Sequence, residues 1–402
     1  MVHWQSILFF FGALVTFVIL GTYLGKRLIG PLGLRPRWRR LAWAGIVVLG
    51  ASGPAVMAAG RMLGQSAWFG PLPWIGFGLM GAAGVLFSFV VFRDLGWLVV
   101  KGVMWGVARW RARSSAAVPP APDLARRRFL FNVSSLGVVV GASAGTGVGV
   151  WTARKKRVVR EEVIRVPGLP EAFDGFRIVQ LSDIHVGPTI CKADLVAMVA
   201  EANALSPDMV AITGDLVDGL VEDMGEDISP LADLQATHGA FYCTGNHEYY
   251  WDGPGWCAQV ARQGVVVLNN AHRVIEREGA KLVVAGVTDH TAHRIEPSHK
   301  SDPDAAVAGA PEDAFRVFLA HQPRSVAGAL AAQADLVLVG HTHGGQFFPL
   351  NLFTDVIHGY GHGLYEAPQG RWVYVSAGAG YWGPPMRLGV PAEVNLVVLR
   401  RA

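Results

Sequence analysis

The stretch Leu336–Gln346 reads LVLVGHTHGGQ and joins an apolar run to a turn that contains two histidines. Leu336–Val339 is short, continuous and apolar, which is typical of a buried β-strand. His341 and His343 follow it one residue apart, and the neighbouring glycines let backbone come close to a bound group. The pattern predicts a ligand-binding turn at the end of a buried strand. This prediction is stronger if other strands also end in residues that can bind the same group.

Four apolar runs upstream end in the same way, in Asp, His or Asn beside a small residue. These runs are Arg177–Ser182, Met209–Ile212, Ala240–Cys243 and Arg316–Leu319. Side chains at strand ends are held by a rigid sheet and can be preorganised as a site. Carboxylate, amide and imidazole donors without a thiolate favour divalent Mn, Fe, Zn or similar ions over Ca²⁺. The candidate ligands are Asp183, His185, Asp215, Asn246, His321, His341 and His343.

Charge divides the 402-residue chain into two different parts. Residues 1–160 hold 20 Lys and Arg against two acids, whereas residues 161–402 hold 15 against 29. The acidic second part lacks the basic surface that a nucleic-acid backbone requires, so we expect no nucleic-acid partner. Three cysteines without a Cys-x-x-Cys pair argue against a disulfide framework and a cysteine zinc site.

The basic first part contains uncharged runs long enough to cross a bilayer core of about 30 Å. We expect them to form an all-α transmembrane anchor of three helices. The predicted spans are Ser6–Leu24, Leu41–Gly60 and Trp74–Phe92. Leu95–Trp110 is apolar but interrupted by Lys101, and we expect it to be an interfacial helix.

A fourth uncharged run, Phe129–Ala153, follows the paired arginines of Arg126–Leu130. This arrangement resembles a twin-arginine export signal placed internally, and the alternative is a fourth transmembrane helix. Both interpretations place the start of the run in the cytoplasm and its end outside. The Lys and Arg content of the preceding linkers gives the same orientation. The basic run Arg154–Arg157 argues for the opposite one.

An ordered set of motifs resembles the calcineurin-like metallophosphoesterase superfamily over about residues 160–402. The motifs are Asp183-x-His185, Gly214-Asp215, Gly245-Asn246-His247-Glu248, His321 and Gly340-His341-x-His343. Residues 344–346 and 374–388 are similar to its bacterial branch, which is anchored to or exported across membranes. The basic anchor resembles transmembrane proteins with a metallophosphoesterase domain. The resemblance implies an α/β (α+β) fold, a two-sheet β-sandwich flanked by helices.

The expected domains follow from the resemblance and the anchor. We expect a membrane region at 1–113, a linker with the signal-like run or fourth helix at 114–157, and a metallophosphoesterase domain at 158–402. The expected location is the bacterial inner membrane, with several passes and the catalytic domain on the periplasmic side.

The resemblance also implies two divalent metal ions and roles for individual residues. One metal would take Asp183, His185, Asp215 and His343, and the other would take Asp215, Asn246, His321 and His341. His247 would face the phosphate and protonate or stabilise the leaving oxygen, which makes Asp215 and His247 the expected catalytic residues. Asn246, His247 and Arg387 are the expected substrate contacts. Asp289 is a further candidate contact, and the alternative for Asp289 and Arg387 is a turn or surface role.

These features favour a membrane-bound phosphoesterase that hydrolyses a phosphodiester or pyrophosphate of a lipid-linked substrate. Some relatives cleave the pyrophosphate of UDP-2,3-diacylglucosamine in lipid A biosynthesis, and we favour a substrate of that type. That substrate is made in the cytoplasm, which conflicts with an external domain. The alternatives are a phosphodiesterase acting on soluble nucleotides or envelope phosphodiesters, and a metal-binding signalling or scaffold module without turnover.

Overall fold

The computed structural model describes residues 4–63, 70–114 and 124–402. The chain divides into two compact units, Met1–Val148 and Gly149–Ala402. The predicted linker residues 115–122 lie outside the described residues. Four long helices account for most of the first unit, and the fourth continues into the second unit. They are α1 (Trp4–Leu28), α2 (Pro36–Leu63), α3 (Pro71–Ser114) and α4 (Leu124–Ala153).

Three helical stretches among the described residues are long and apolar enough to cross a membrane. They are Pro36–Gly60, Pro71–Trp110 and Arg128–Ala153. The predicted span Ser6–Leu24 lies within α1, and its crossing of a membrane stays a prediction. Leu95–Trp110 is not a separate helix but continues α3. Because Lys101 is exposed, the helix passes through it without burying the charge.

A buried carboxylate ties α1 to α3 in the first unit. Asp94 accepts hydrogen bonds from Arg93 at 2.8 and 3.0 Å and from the Tyr23 hydroxyl at 2.6 Å, and it also pairs with Arg27. A buried carboxylate requires such partners, so this cluster stabilises the packing of the two helices.

The second unit contains two six-stranded mixed sheets. The first sheet has the order β1-β12-β2-β3-β4-β5, and the second has the order β10-β11-β9-β8-β7-β6. The strands are β1 (Val158–Val166), β2 (Arg177–Leu181), β3 (Met209–Thr213), β4 (Ala240–Cys243), β5 (Val266–Val267), β6 (Ala271–Arg277), β7 (Ala280–Gly286), β8 (Phe315–Leu319), β9 (Leu336–Val339), β10 (Gly363–Ala367), β11 (Arg371–Val375) and β12 (Glu393–Arg401). The five predicted runs are therefore strands, and the expected two-sheet architecture is confirmed.

Short helices flank the two sheets. They are α5 (Lys192–Asn203), α6 (Val221–Met224), α7 (Asn246–Trp251), α8 (Gly253–Arg262), α9 (Pro303–Val307), α10 (Val326–Ala331) and α11 (Thr354–His358). The core between the sheets includes Ile178, Phe241, Val317 and Leu338, while separate clusters bury the outer face of each sheet. Burial on both faces explains why these strands are continuously apolar rather than alternating.

Strand direction places the site. β2, β3 and β4 are parallel neighbours in the first sheet, and β8 and β9 are parallel neighbours in the second. The Gln180 side chain of β2 donates to the Val339 carbonyl of β9 at 3.0 Å, so the carboxyl ends of the two sheets meet. The loops that follow these five strands therefore converge.

A second buried carboxylate holds the start of β12. Glu393 accepts hydrogen bonds from the Ala377 amide at 2.9 Å and the Asn395 side chain at 2.8 Å. It also pairs with Arg160 at 2.7 Å and His362 at 3.0 Å. These bonds connect β12 with β1 and with the segment before β10.

Candidate metal centre

The predicted ligands come from the five converging loops. Asp183 and His185 follow β2, Asp215 follows β3, and Asn246 and His247 begin α7 after β4. His321 follows β8, and His341 and His343 follow β9. Six of the seven predicted ligands belong to groups whose donor atoms lie within 4.8 Å of one another. Asn246, the seventh, stands between Gly245 and His247, both of which contact Asp215.

Asp215 lies at the middle of the cluster. Its Oδ2 is 3.0 Å from His321 Nε2, 3.8 Å from His247 Nε2 and 3.9 Å from His185 Nε2. Its Oδ1 accepts a hydrogen bond from the His247 amide at 2.9 Å. One carboxylate therefore faces three imidazoles that arrive from different strands of both sheets.

Two groups of donors lie on either side of Asp215. On one side His343 Nε2 is 3.3 Å from Asp183 Oδ1 and 3.1 Å from His185 Nε2. On the other side His341 Nδ1 is 3.2 Å from His321 Nε2. Each of these two groups could hold a cation, and Asp215 lies close to both.

The backbone is strained at the ligands themselves. The φ angle is positive at Asp183 (52°), His185 (55°), Asp215 (51°), His341 (71°) and His343 (51°). Residues other than glycine rarely adopt this conformation, and such strain collects at functional sites. Five of the seven predicted ligands share it, so the loops direct side chains toward a common point at a cost in local stability.

Two glycines are required by close packing. A Cβ at Gly340 would overlap the side chains of Ser182 and Asp183, and a Cβ at Gly245 would overlap Asp215. The glycines in these motifs therefore allow the β4 and β9 loops to pass directly against the carboxylates.

Burial and neighbouring charges set the protonation of the centre. Burial alone would lower the pKa of His247, but Asp215 and Asp218 raise it to about 9. Burial alone would raise the pKa of Asp215, but His321 and His247 hold it well below its usual range. Burial and the nearby His321 lower the pKa of His341 to about 3. The centre thus holds a buried carboxylate that needs positive charge beside it, which histidines or bound cations can supply.

The Asn246 side chain shows whether the donor set fits a metal ion. Its amide Nδ2 donates to the Tyr250 hydroxyl at 3.2 Å. Its Oδ1 is buried and accepts no hydrogen bond from the part of the chain that the structure describes. A buried carbonyl oxygen without a donor is costly, and a hard divalent cation is a suitable partner for it.

Asp218 is a site residue that the sequence analysis missed. Its Oδ2 accepts from His185 Nδ1 at 3.1 Å, and its Oδ1 accepts from His247 Nδ1 at 2.5 Å. A carboxylate that holds one ring nitrogen fixes the tautomer and orientation of the imidazole, leaving Nε2 free as a ligand or proton donor. The spacing Gly214-Asp215-x-x-Asp218 was the available signal.

Glu248 is the last residue of the Gly245–Glu248 motif, and the sequence predicted no role for it. Its carboxylate accepts from the amides of Gly245 at 2.6 Å, Leu216 at 2.7 Å and Asp215 at 3.2 Å. It therefore joins the loops after β3 and β4, and as the third residue of α7 it also caps that helix.

Two aromatic residues flank His247, and the sequence analysis did not find them. The rings of Tyr250 and Trp382 lie 5.0 and 5.3 Å from the imidazole, both edge-on. Both side chains are exposed, so they form the outer border of the centre beside His247.

Arg387 and Asp289 are both buried and form hydrogen bonds with other parts of the protein. The Arg387 guanidinium is fully buried and donates to the carbonyls of His343 at 3.0 Å and Ala377 at 2.7 Å. Asp289 is buried and accepts from Thr291 and Gln322. The geometry places Arg387 behind His343, which favours a positioning role over direct contact with substrate.

Comparison with known proteins identifies the family of the chain. The calcineurin-like phosphoesterase family matches residues 176–345. A "transmembrane protein with metallophosphoesterase domain" from Bos taurus is 34% identical over 337 residues, covering 79% of this chain and 74% of the relative. The protein of the same name from Danio rerio is 36% identical, covering 68% of this chain and 64% of the relative, which is just under two thirds.

Bacterial proteins are similar as well. An "uncharacterized metallophosphoesterase" from Helicobacter pylori is 34% identical, covering 67% of this chain and 71% of the relative. Among solved structures, a 5'-nucleotidase precursor from Thermus thermophilus aligns with 56% of this chain and 54% of its own, with 15% identity and a TM-score of 0.34.

Proposed function

Because this chain belongs to the calcineurin-like metallophosphoesterase family and carries its metal-dependent hydrolase domain, we propose that it hydrolyses a phosphodiester or a pyrophosphate. One observation carries the proposal: five strand ends from two sheets bring their carboxylate and imidazole donors together around Asp215. Two adjacent cation sites that share one carboxylate suit the displacement of an oxygen at phosphorus.

We propose the following division of ligands. Asp183, His185, Asp215 and His343 hold one divalent ion, and Asp215, Asn246, His321 and His341 hold the other. When bound, such ions would neutralise the charge on phosphate oxygens. They would also lower the pKa of a bound water toward neutral pH. The unpartnered Asn246 Oδ1 and the strained ligand backbone support this set.

His247 supplies the proton in this proposal. Asp218 holds its Nδ1, so the proton to be delivered sits on Nε2, which lies 3.8 Å from Asp215 Oδ2. An imidazole kept protonated by carboxylates can give its proton to a leaving oxygen, and general acid catalysis of this kind contributes about 10²–10⁴-fold in rate. The rings of Tyr250 and Trp382 pack edge-on against this imidazole, at 5.0 and 5.3 Å.

The substrate we propose is lipid-linked. The support is the apolar helices, which anchor the chain at a membrane while α4 leads directly into the phosphoesterase domain. We propose residues 1–113 as the membrane region, 114–157 as the connecting segment and 158–402 as the catalytic domain. The anchor crosses the bacterial inner membrane several times, and the twin-arginine-like Arg126–Leu130 segment supports a periplasmic catalytic domain.

The side of the membrane determines which lipid is available. A periplasmic domain meets phospholipids and envelope phosphodiesters, whereas a cytoplasmic domain meets a pyrophosphate such as UDP-2,3-diacylglucosamine. Alkaline phosphatase fused to the carboxyl terminus reports on this choice, because it is active only outside the cytoplasm. An inactive fusion on an expressed, membrane-bound protein would overturn the periplasmic orientation.

Hydrolysis of bis(p-nitrophenyl) phosphate by the purified full-length protein tests the activity. We expect release of nitrophenol that requires added Mn²⁺ and is abolished by chelation. Binding of two Mn²⁺ per chain, without hydrolysis of this diester or of a pyrophosphate, would instead support the scaffold alternative.

A further inference from the structure

An exposed apolar segment follows the metal-binding turn directly. Five of the eight side chains between Leu350 and Ile357 are apolar, and all five are exposed. The exposed fraction is 84% for Val356 and 60% for Leu352 and Ile357. We call this set the apolar rim; its members are Leu350, Leu352, Phe353, Val356 and Ile357. Contiguous apolar exposure of this kind marks a surface that meets another apolar phase.

Thr354 and Asp355 of the same segment form hydrogen bonds within the protein. Thr354 is buried and donates to the Asn351 carbonyl at 3.1 Å. The Asp355 carboxylate accepts from the Gly361 amide at 2.9 Å and the Tyr365 hydroxyl at 2.5 Å. The segment therefore exposes all five of its apolar side chains, with Asp355 exposed beside them. Because these bonds fix α11, exposure of the rim is a property of the folded segment.

The rim is joined to the metal centre. His358, the last residue of α11, has its ring 5.8 Å from that of His341, edge to face. The backbone of Asn351 lies directly against Gly345 in the histidine turn. A partner bound to the apolar rim would therefore lie beside the candidate ligands that follow β9.

The short connection between α4 and the phosphoesterase domain indicates which partner the rim contacts. Residues 154–157 alone separate α4 from β1, and a chain of that length spans at most about 14 Å. All of them are Lys or Arg. Arg157 contacts Ala379 and Glu201, whereas residues 154–156 are exposed, which suits anionic lipid headgroups. The exposed aromatic residues Tyr250 and Trp382, beside His247, are of the type that prefers a membrane interface.

We propose that the apolar rim inserts into the headgroup boundary of the bilayer that anchors the chain, which holds the Asp215 centre at the depth of lipid phosphates. Interfacial apolar side chains of this kind enter a bilayer by about 5–10 Å. The proposal rests on the phosphoesterase function proposed above. It adds that the substrate is a phosphoester that stays in the membrane during hydrolysis.

Fluorescence quenching in nanodiscs tests the insertion. The full-length protein carrying Cys191→Ser, which removes the exposed native cysteine, receives Val356→Cys and a polarity-sensitive dye. The matched control is Val274→Cys on β6, the strand at the opposite edge of the second sheet from β10. We expect lipids brominated along their acyl chains to quench the dye at 356 and not at 274.

Two outcomes would overturn the insertion. Equal quenching at both positions would show no preferred face. A blue-shifted dye at 356 without quenching by bromine would mean that protein, such as a second copy of the chain, covers the rim.

A matched pair of substrates separates this proposal from the function on which it rests. Ethyl and hexadecyl p-nitrophenyl phosphate share a leaving group, and only the second partitions into the nanodisc. We expect Val356→Asp with Ile357→Asp to lower the ratio of hexadecyl to ethyl hydrolysis about tenfold, whereas Val274→Asp leaves the ratio unchanged. A ratio unaffected by the rim variants would refute the rim proposal alone, while parent protein inactive on both diesters and on a pyrophosphate would refute the phosphoesterase proposal.

Discussion

Replacing Asp218 with asparagine tests whether one carboxylate orients both His185 and His247. Each of its oxygens accepts from a different imidazole, at 3.1 and 2.5 Å. Asparagine has a single acceptor oxygen, so one of the two rings would face an amide N–H instead. That ring must turn or change tautomer, and its Nε2 would no longer be presented to the centre in the same protonation state.

The size of the effect follows from the bond that is lost. A hydrogen bond to a charged group contributes about 1.5–3 kcal/mol, and loss of a partner behind a metal ligand typically lowers activity or metal affinity about 10–100-fold. We expect kcat of Asp218→Asn for bis(p-nitrophenyl) phosphate to fall by about that factor, with little change in KM. A Mn²⁺ titration of the same variant should show weaker binding.

Glu222 provides a matched control for the Asp218→Asn variant. Glu222→Gln changes an exposed carboxylate four residues further along the chain and should behave as wild type. Thermal unfolding of both variants shows whether the fold is retained. Wild-type kcat and Mn²⁺ affinity in folded Asp218→Asn would mean that His185 and His247 do not depend on this carboxylate.

Three further predictions address other parts of the domain. His247→Ala should retain two metals per chain, measured by mass spectrometry, and lose about 10²–10⁴-fold in kcat; full turnover would remove His247 from the mechanism. Asp215→Asn should lose both metals, and two ions per purified chain would refute its central position. Burial alone would raise the pKa of Glu393, but hydrogen bonds with His362 and its other partners hold it at about 2, below the ordinary 4.5. This carboxylate should therefore contribute about 3 kcal/mol of stability above pH 4.5 that is lost as the pH falls toward 2. Glu393→Gln should flatten the dependence of unfolding free energy on pH in that range, and an unchanged acid limb would contradict the assignment.

Much of the fold was predictable because the strands are buried on both faces. Runs such as Leu336–Val339 are apolar without interruption and end in a glycine, so their position and their end are both visible in the sequence. β10 was not predicted, since an edge strand that is only half-buried carries no continuous apolar run. The single helix α3 was predicted as two, a span ending at Phe92 and an interfacial helix over Leu95–Trp110, whereas the charged residues within it, the exposed Lys101 among them, do not interrupt the helix.

The site was predictable only where a ligand directly follows a strand. Asp218 lies further along its loop, and its two partners, His185 and His247, lie 33 and 29 residues from it on opposite sides in the sequence, so only the folded chain shows that it joins them. The apolar rim was missed for a different reason. Leu352 and Val356 look like ordinary core residues in the sequence, and only their exposure in the structure distinguishes them.

The two sheets each contribute ligands to one centre, and this gives bound metal a mechanical role. Asp183 and Asp215 extend from the first sheet, while His321, His341 and His343 extend from the second. Ions bound between these ligands would link the two sheets at one end of the sandwich. Since a ligand that binds only the folded state adds its binding energy to folding, bound metal would raise the free energy of unfolding of this domain. Metal starvation would then lower the amount of the protein as well as its rate of turnover.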